Sequence, residues 1–360
     1  MDRMTAPQVF VYAPVEEARP TYDEMRALGC ELIMGKDYWH HAPRRENQLE
    51  MIAMAAASDA MHGTSIRNTP ITAEVLRASE TLRIVAKYSI GVDEVDVDAA
   101  TDLGILVTNA PTEANWGSVA EGTMAIMLAL FKRVRERDAY IKAGKWRADH
   151  LVGTYVGARD DGYSGLTVGI VGLGRVGGRV AELLRPWRVR LLACDPYVPD
   201  ARFRQCGATN VDFPTLLRES DVVSLHVTLT RETRHLMGAE QFAMMKPTAV
   251  FLNTSRGKVV DENALIEAIE RNVIWAAGID AFEQEPPPPE SRIRRLGDRV
   301  LLSPHYTFAS HGAGLGPGAR IATDALLAAI RGRLPDEGCI VNKDAIPRWL
   351  ERFGGRAMLP

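Results

Sequence analysis

The hexapeptide Gly172-Leu173-Gly174-Arg175-Val176-Gly177 places three glycines at the spacing that a dinucleotide pyrophosphate requires. It follows the apolar run Thr167 to Val171 and opens an amphipathic segment. In that context Gly172 permits a tight turn, Gly174 lets the backbone approach a pyrophosphate, and Gly177 lets the following helix pack on the strand. The helix start, with Arg175 and Val176, offers N–H groups and partial positive charge to an anion. Asp195 lies 18 residues beyond Gly177, at the end of the next apolar run. An acid there accepts both ribose hydroxyls and repels a 2′-phosphate, so NAD is favoured over NADP. No metal site is expected, because Cys30, Cys194, Cys206 and Cys339 lack metal or redox spacing.

The elements that must position these groups are six strand-like runs: Thr167 to Val171, Arg190 to Cys194, Asp221 to His226, Ala249 to Asn253, Ile274 to Ile279 and Arg299 to Leu302. Helical segments separate most of them, which predicts a six-stranded parallel sheet wound on both faces. Ligands of such sheets sit beyond the carboxyl ends of the strands. The residues there are Asp195, then His226-Val227-Thr228, then Asn253-Thr254-Ser255-Arg256-Gly257, then Asp280, then Ser303-Pro304-His305. An acid in the loop after the fifth strand can reach His305. Both Glu283 and Glu285 are candidates, with Glu285 favoured because it directly precedes Pro286. Asp280 is either a ligand or the cap of a strand end.

Upstream, Val9 to Tyr12, Glu31 to Met34, Ile84 to Tyr88 and Ile105 to Thr108 read as strands of a smaller α/β domain. Ser118 and Glu121 form a capping-box pattern, from which one long helix is predicted to run to about Gly144. A second helical stretch, Ala319 to Ile330, is expected to pack back on the first domain. The 360 residues suggest two domains, and 46% hydrophobic with 25% charged residues is ordinary globular composition. A net charge of −3 gives no reason to expect nucleic acid or an anionic membrane as partner. The N-terminus lacks a signal-like apolar stretch, so the cytoplasm is the expected location.

The chain resembles the D-isomer-specific 2-hydroxyacid dehydrogenases over about residues 80 to 310. The resemblance rests on KYSIGVDEVDVDAA, VTNAPTEANWGSVAEGT, GLTVGIVGLGRVGGRVA, FLNTSRGKVVDENAL, AFEQEPP and LLSPH, in that order. It implies two Rossmann-like domains: a doubly wound parallel-sheet coenzyme domain, 115–307, inserted into a smaller flavodoxin-like substrate domain, 1–114 with 308–345. A tail, 346–360, would follow. By the same resemblance His305 is the acid/base, Glu285 supports it, and Arg256 binds the substrate carboxylate together with Ser89, Ile90 and Gly91. Thr123, Thr228, Thr233, Thr254, Ser255 and Asp280 join the glycine turn and Asp195 as NAD contacts. The implied partners are a 2-hydroxy or 2-oxo acid and a second copy of the chain, forming a homodimer through the coenzyme domain.

That chemistry explains the residue types. Oxidation of a 2-hydroxy acid moves a hydride from C2 to the nicotinamide while a base takes the hydroxyl proton. A histidine near neutrality serves both directions, and a guanidinium holds a carboxylate by two parallel bonds. Three departures from the family pattern stand out: Tyr306-Thr307-Phe308 where small residues are usual, Ser89 where glycine is common, and a long segment from Arg147 to Ser164. The competing readings are an NAD-binding corepressor-like interaction protein and a formate or phosphite dehydrogenase on the same scaffold.

Overall fold

Side-chain alternation decides the first sheet. In β1 (Gln8–Ala13), Val9 and Val11 enter one buried cluster while Phe10 and Tyr12 enter another, as successive residues of a strand must. A strand buried on both faces belongs to a parallel sheet covered by helices. The computed structural model describes residues 6–40, 44–66, 68–310 and 314–359, and it divides into two units, 1–115 with 311–360 and 116–310.

The first unit holds β1, β2 (Glu31–Met34), β3 (Ala60–Gly63), β4 (Ile84–Lys87) and β5 (Leu106–Thr108), all parallel, in the order β2-β1-β3-β4-β5. This is a flavodoxin-like order. Helices Arg19–Ala27, Gly316–Ile330 and Ile346–Phe353 cover one face, and helices Arg45–Ala55, Ala73–Arg77 and Val97–Leu103 the other. Strand β3 is additional to the four expected. Its sequence, Ala-Met-His-Gly, carries no β-branched residue, so only its central place in the sheet reveals it. The stretch 346–360, expected as a tail, instead contributes a helix that buries Trp349 and Phe353. These two residues stand four apart on one helical face, and Trp349 Nε1 donates to the Arg83 carbonyl at 3.0 Å.

A polar chain runs through this core. Buried His62 on β3 bonds Tyr88 Oη through Nδ1 at 2.7 Å and Thr323 Oγ1 through Nε2 at 3.0 Å. Tyr88 Oη bonds Tyr22 Oη at 3.0 Å, and the Val15 N–H donates to Tyr22 Oη at 3.1 Å. Burial pushes the His62 pKa from 6.5 down to about 3, so the ring is neutral.

The second unit contains β6 (Thr167–Val171), β7 (Arg190–Cys194), β8 (Thr209–Asn210), β9 (Val222–Leu225), β10 (Val250–Asn253), β11 (Ala276–Ile279) and β12 (Val300–Leu302). They form one parallel sheet in the order β12-β11-β10-β9-β6-β7-β8. The expected six strands are therefore seven, since a two-residue exposed strand too short to show in the sequence pattern is added at the edge beside β7. After β8 the chain returns to the other side of β6, making the β6/β9 boundary the point where strand order reverses. Ligands of open α/β sheets bind at such a point.

The single long helix expected from Ser118 is two. The first spans Glu113–Phe131, so Ser118 lies buried inside it and does not cap it. It stops because Arg133 adopts φ 51°, in the left-handed region, and the Phe131 carbonyl accepts from Thr154 N. A second helix, Val134–Lys142, follows. Among the described residues no helix is long and apolar enough to cross a membrane.

Candidate functional site

The glycine turn after β6 has a shape only glycine supports. Gly172 has φ +91°, and a Cβ there would lie 2.8 Å from the His226 carbonyl oxygen. A Cβ on Gly177 would fall 2.1 Å from the Gly172 carbonyl oxygen, so the helix Arg175–Leu184 can begin this close to the strand only without a side chain. Gly174, its N-cap, faces open space and offers no side-chain cap. The first-turn N–H groups of an uncapped helix are ready donors to an anion. Arg175 is exposed and Val176 half-buried beside them.

Asp195, just past β7, turns its carboxylate into the same turn: Oδ2 accepts from Leu173 N at 2.8 Å and Oδ1 from Tyr197 N at 2.9 Å. These residues fit a pyrophosphate and a ribose. After β9, Thr233 Oγ1 donates to the Thr228 carbonyl at 2.6 Å and accepts from Thr230 N at 2.7 Å, closing the loop on itself. His226 bonds Ser224 Oγ through Nε2 at 2.9 Å, and burial lowers its pKa to about 4.

Past β10, Thr254 Oγ1 lies 2.8 Å from Thr123 Oγ1, which joins two residues 131 positions apart. The Arg256 turn is organised by Asn253, a residue the sequence reading left without a role. Its Oδ1 accepts from the Ser255 N–H at 3.1 Å and hydroxyl at 2.8 Å, and its Nδ2 donates to the Arg256 carbonyl at 3.0 Å. An Asn at a strand end followed by Thr-Ser is the signal that finds such a turn. Arg256 Nη1 donates to the Ser255 carbonyl at 2.9 Å.

Past β11 and β12 the acid partners separate. Glu285 Oε1 lies 2.7 Å from His305 Nδ1 and also accepts from Phe282 N at 3.0 Å. Glu283 instead lies 2.7 Å from His235 Nε2 and accepts from Glu262 N. His305 itself has φ 54°, costly for a residue with a Cβ. Buried Asp280 holds the chain immediately after it, accepting from Tyr306 N at 3.0 Å, Thr307 N at 3.3 Å and Thr307 Oγ1 at 2.6 Å. The pair is half-buried, with about a fifth of each side chain exposed.

In the first unit, Ser89, Ile90 and Gly91 form the half-buried loop after β4. The Asn109 side chain donates to the Ile90 carbonyl at 3.0 Å, Ala110 N to the Ser89 carbonyl at 3.1 Å, and Ser65 Oγ is 3.4 Å from Ser89 Oγ. A buried ion pair between Lys87 and Glu94 brackets this loop. A lysine ending the apolar run Ile84-Val85-Ala86 was its only signal in the sequence.

Residues 124–307 match the family of the D-isomer specific 2-hydroxyacid dehydrogenase, NAD binding domain. The chain is 41% identical over 285 residues to a glyoxylate reductase of Korarchaeum cryptofilum, covering 78% of this chain and 82% of that protein. It is 40% identical over 317 residues to a D-3-phosphoglycerate dehydrogenase of Archaeoglobus fulgidus, covering 88% of this chain but spanning 56% of that longer protein. Its fold is similar to that of D-lactate dehydrogenase from Aquifex aeolicus, solved with NAD and lactic acid, with TM-score 0.79, 27% identity, and coverage of 93% of this chain and 99% of that one. The chain belongs to the D-isomer specific 2-hydroxyacid dehydrogenases, NAD-dependent oxidoreductases that interconvert 2-hydroxy acids and 2-oxo acids.

Proposed function

We propose that residues 116–310 form the coenzyme domain, that the first unit binds substrate, and that the pair reduces a short 2-oxo acid, glyoxylate foremost, to its 2-hydroxy acid. The observation that carries the catalytic reading is the 2.7 Å contact between His305 Nδ1 and Glu285 Oε1. With Nδ1 committed to a carboxylate, the ring orientation is held and Nε2 addresses the substrate oxygen. His305 gives a proton to that oxygen in reduction and takes it back in oxidation. Glu285 stabilises the imidazolium form between the two events. Arg256 grips the substrate carboxylate and draws charge from the 2-oxo group, with the loop Ser89 to Gly91 adding backbone donors. NAD supplies the hydride acceptor and, reduced, the hydride donor. The glycine turn, Asp195, Thr123, Thr228, Thr233, Thr254, Ser255 and Asp280 are the residues proposed to hold it. The choice of glyoxylate is supported by the match across most of a glyoxylate reductase, against about half of a phosphoglycerate dehydrogenase. Comparing kcat/KM for glyoxylate, hydroxypyruvate, pyruvate and 3-phosphohydroxypyruvate tests it; a preference for the phosphorylated acid would overturn the choice.

We further propose that the protein acts as a homodimer through the coenzyme domain. The helix Glu113–Phe131, long and apolar enough to suggest a subunit contact, buries most of its large apolar residues inside the second unit. Support comes instead from the following stretch, where Val134, Ile141, Trp146, Val152 and Tyr155 are exposed, Trp146 by 73%. The dimer reading takes these residues as one apolar patch, the kind of surface that marks an interaction site. Sedimentation of the wild type and of Trp146→Asp tests this, a monomeric wild type being the contrary result.

A further inference from the structure

Gly178 follows the third glycine of the turn and lies inside the helix Arg175–Leu184, where glycine is a poor helix former. Its backbone needs no positive φ. The reason for it is a neighbour: a Cβ on Gly178 would lie 1.8 Å from Nη2 of Arg202. The guanidinium rests where that side chain would be. From this seat Nε donates to the Leu173 carbonyl at 3.1 Å, Nη2 to the Gly174 carbonyl at 2.8 Å, and Nη1 to Gln205 Oε1 at 2.9 Å.

We propose that Arg202, seated on Gly178, is a positioning residue that sets the glycine turn to receive the pyrophosphate of a nicotinamide dinucleotide. This rests on the reading of that turn as the cofactor cradle. In a trans peptide the C=O and N–H of one plane point in opposite directions. Arg202 grips the carbonyls of two consecutive planes, Leu173–Gly174 and Gly174–Arg175, and so aims the N–H groups of Gly174 and Arg175 to the opposite side. The Leu173 N–H is already taken by Asp195 Oδ2. A guanidinium and a carboxylate from the next strand and helix thus hold the turn, leaving it no rearrangement to make when an anion arrives.

Calorimetric titration of NADH, ADP-ribose and adenosine into wild type, Arg202→Ala, Arg202→Lys, Gly178→Ala and the R202A/G178A double variant tests this, with thermal unfolding of each ligand-free protein alongside. R202A is expected to weaken NADH and ADP-ribose about tenfold or more, the scale of a charge-assisted hydrogen-bond pair, and to leave adenosine, which has no pyrophosphate, unchanged. R202K falls between, since one ammonium cannot fork across two carbonyls. G178A reproduces the loss by evicting the guanidinium and adds nothing in the R202A background. Wild-type NADH affinity in R202A, equal losses for adenosine and ADP-ribose, or additive losses in the double variant would each overturn the proposal. Should R202A fail to fold, R202K and G178A carry the same comparison. Gly174→Val separates the two layers: retained NADH binding there overturns the cradle itself, whereas lost binding beside an indifferent R202A overturns only the role of Arg202.

Discussion

Two histidines, one in each unit, show what converts the same side chain from structure to chemistry. His62, at the third position of β3, is fully buried and bonded at both ring nitrogens by neutral hydroxyls, Tyr88 and Thr323. Burial holds it uncharged, with a pKa near 3. His305, three residues past β12, is partly exposed, sits in a left-handed backbone and has a carboxylate at Nδ1. A hydroxyl partner satisfies a neutral ring, whereas a carboxylate partner favours the charged one. One lies within a strand and the other past a strand end, and their chemistry follows from burial and from the charge of the partner.

The largest expected effect breaks the second half of the contrast. His305→Asn should lower kcat for 2-oxo acid reduction by about 10²–10⁴-fold, the range for loss of a general acid, while its thermal midpoint stays near wild type. Steady-state kinetics with calorimetry of the same samples checks both, and undiminished turnover would remove His305 from the mechanism. Arg256→Lys should raise KM for the 2-oxo acid by about 10–10²-fold, because an ammonium cannot form two parallel bonds to a carboxylate. An unchanged KM would place the carboxylate elsewhere.

The mirror experiment is His62→Leu. It should cost about 1–3 kcal/mol of stability by stripping a partner from buried hydroxyls, read by urea unfolding, with kcat per folded molecule retained. A loss of kcat without a loss of stability would contradict the division of roles. The smallest effect is in pH. The folded pKa of His62 lies below its unfolded value of 6.5, so the unfolded chain binds the extra proton. Stability is therefore whole above about pH 6.5 and declines as pH falls from there toward 3. His226, lowered to about 4, adds in the same direction. The decline should be shallower in His62→Leu, measured as unfolding free energy from pH 7 to 4; an equal slope would mean His62 is not held neutral.

Much of this was legible in the chain. Strands β2, β6 and β7 begin and end where the apolar runs do, because a parallel strand with apolar residues on both faces reads as a short continuous apolar stretch, whether buried throughout like β6 or half-buried at the edge like β2. Strand β3 was not legible, since His62 interrupts its apolar character and its burial depends on neighbours. Nor was the break at Lys132-Arg133, where no Pro or Gly marks the stop and the left-handed Arg133 ends the helix. The C-terminal helix was missed for a related reason: the partner that Trp349 bonds, Arg83, is 266 positions away in the chain.

By itself the sequence determined the glycine turn, the acid after β7, and the list of polar residues past each strand, because turn geometry and strand ends are properties of a few consecutive residues. Only the tertiary structure decided the pairings: Glu285 and not Glu283 beside His305, Asp280 on the backbone of Tyr306 and Thr307, Asn253 under Arg256, and Arg202 in the space left by Gly178. Most of these contacts join residues on different strands and loops, and even Asn253 reaches Arg256 only because the turn past β10 brings its side chain back. Strand order and loop path, neither of which is written locally, choose among partners of equal chemistry.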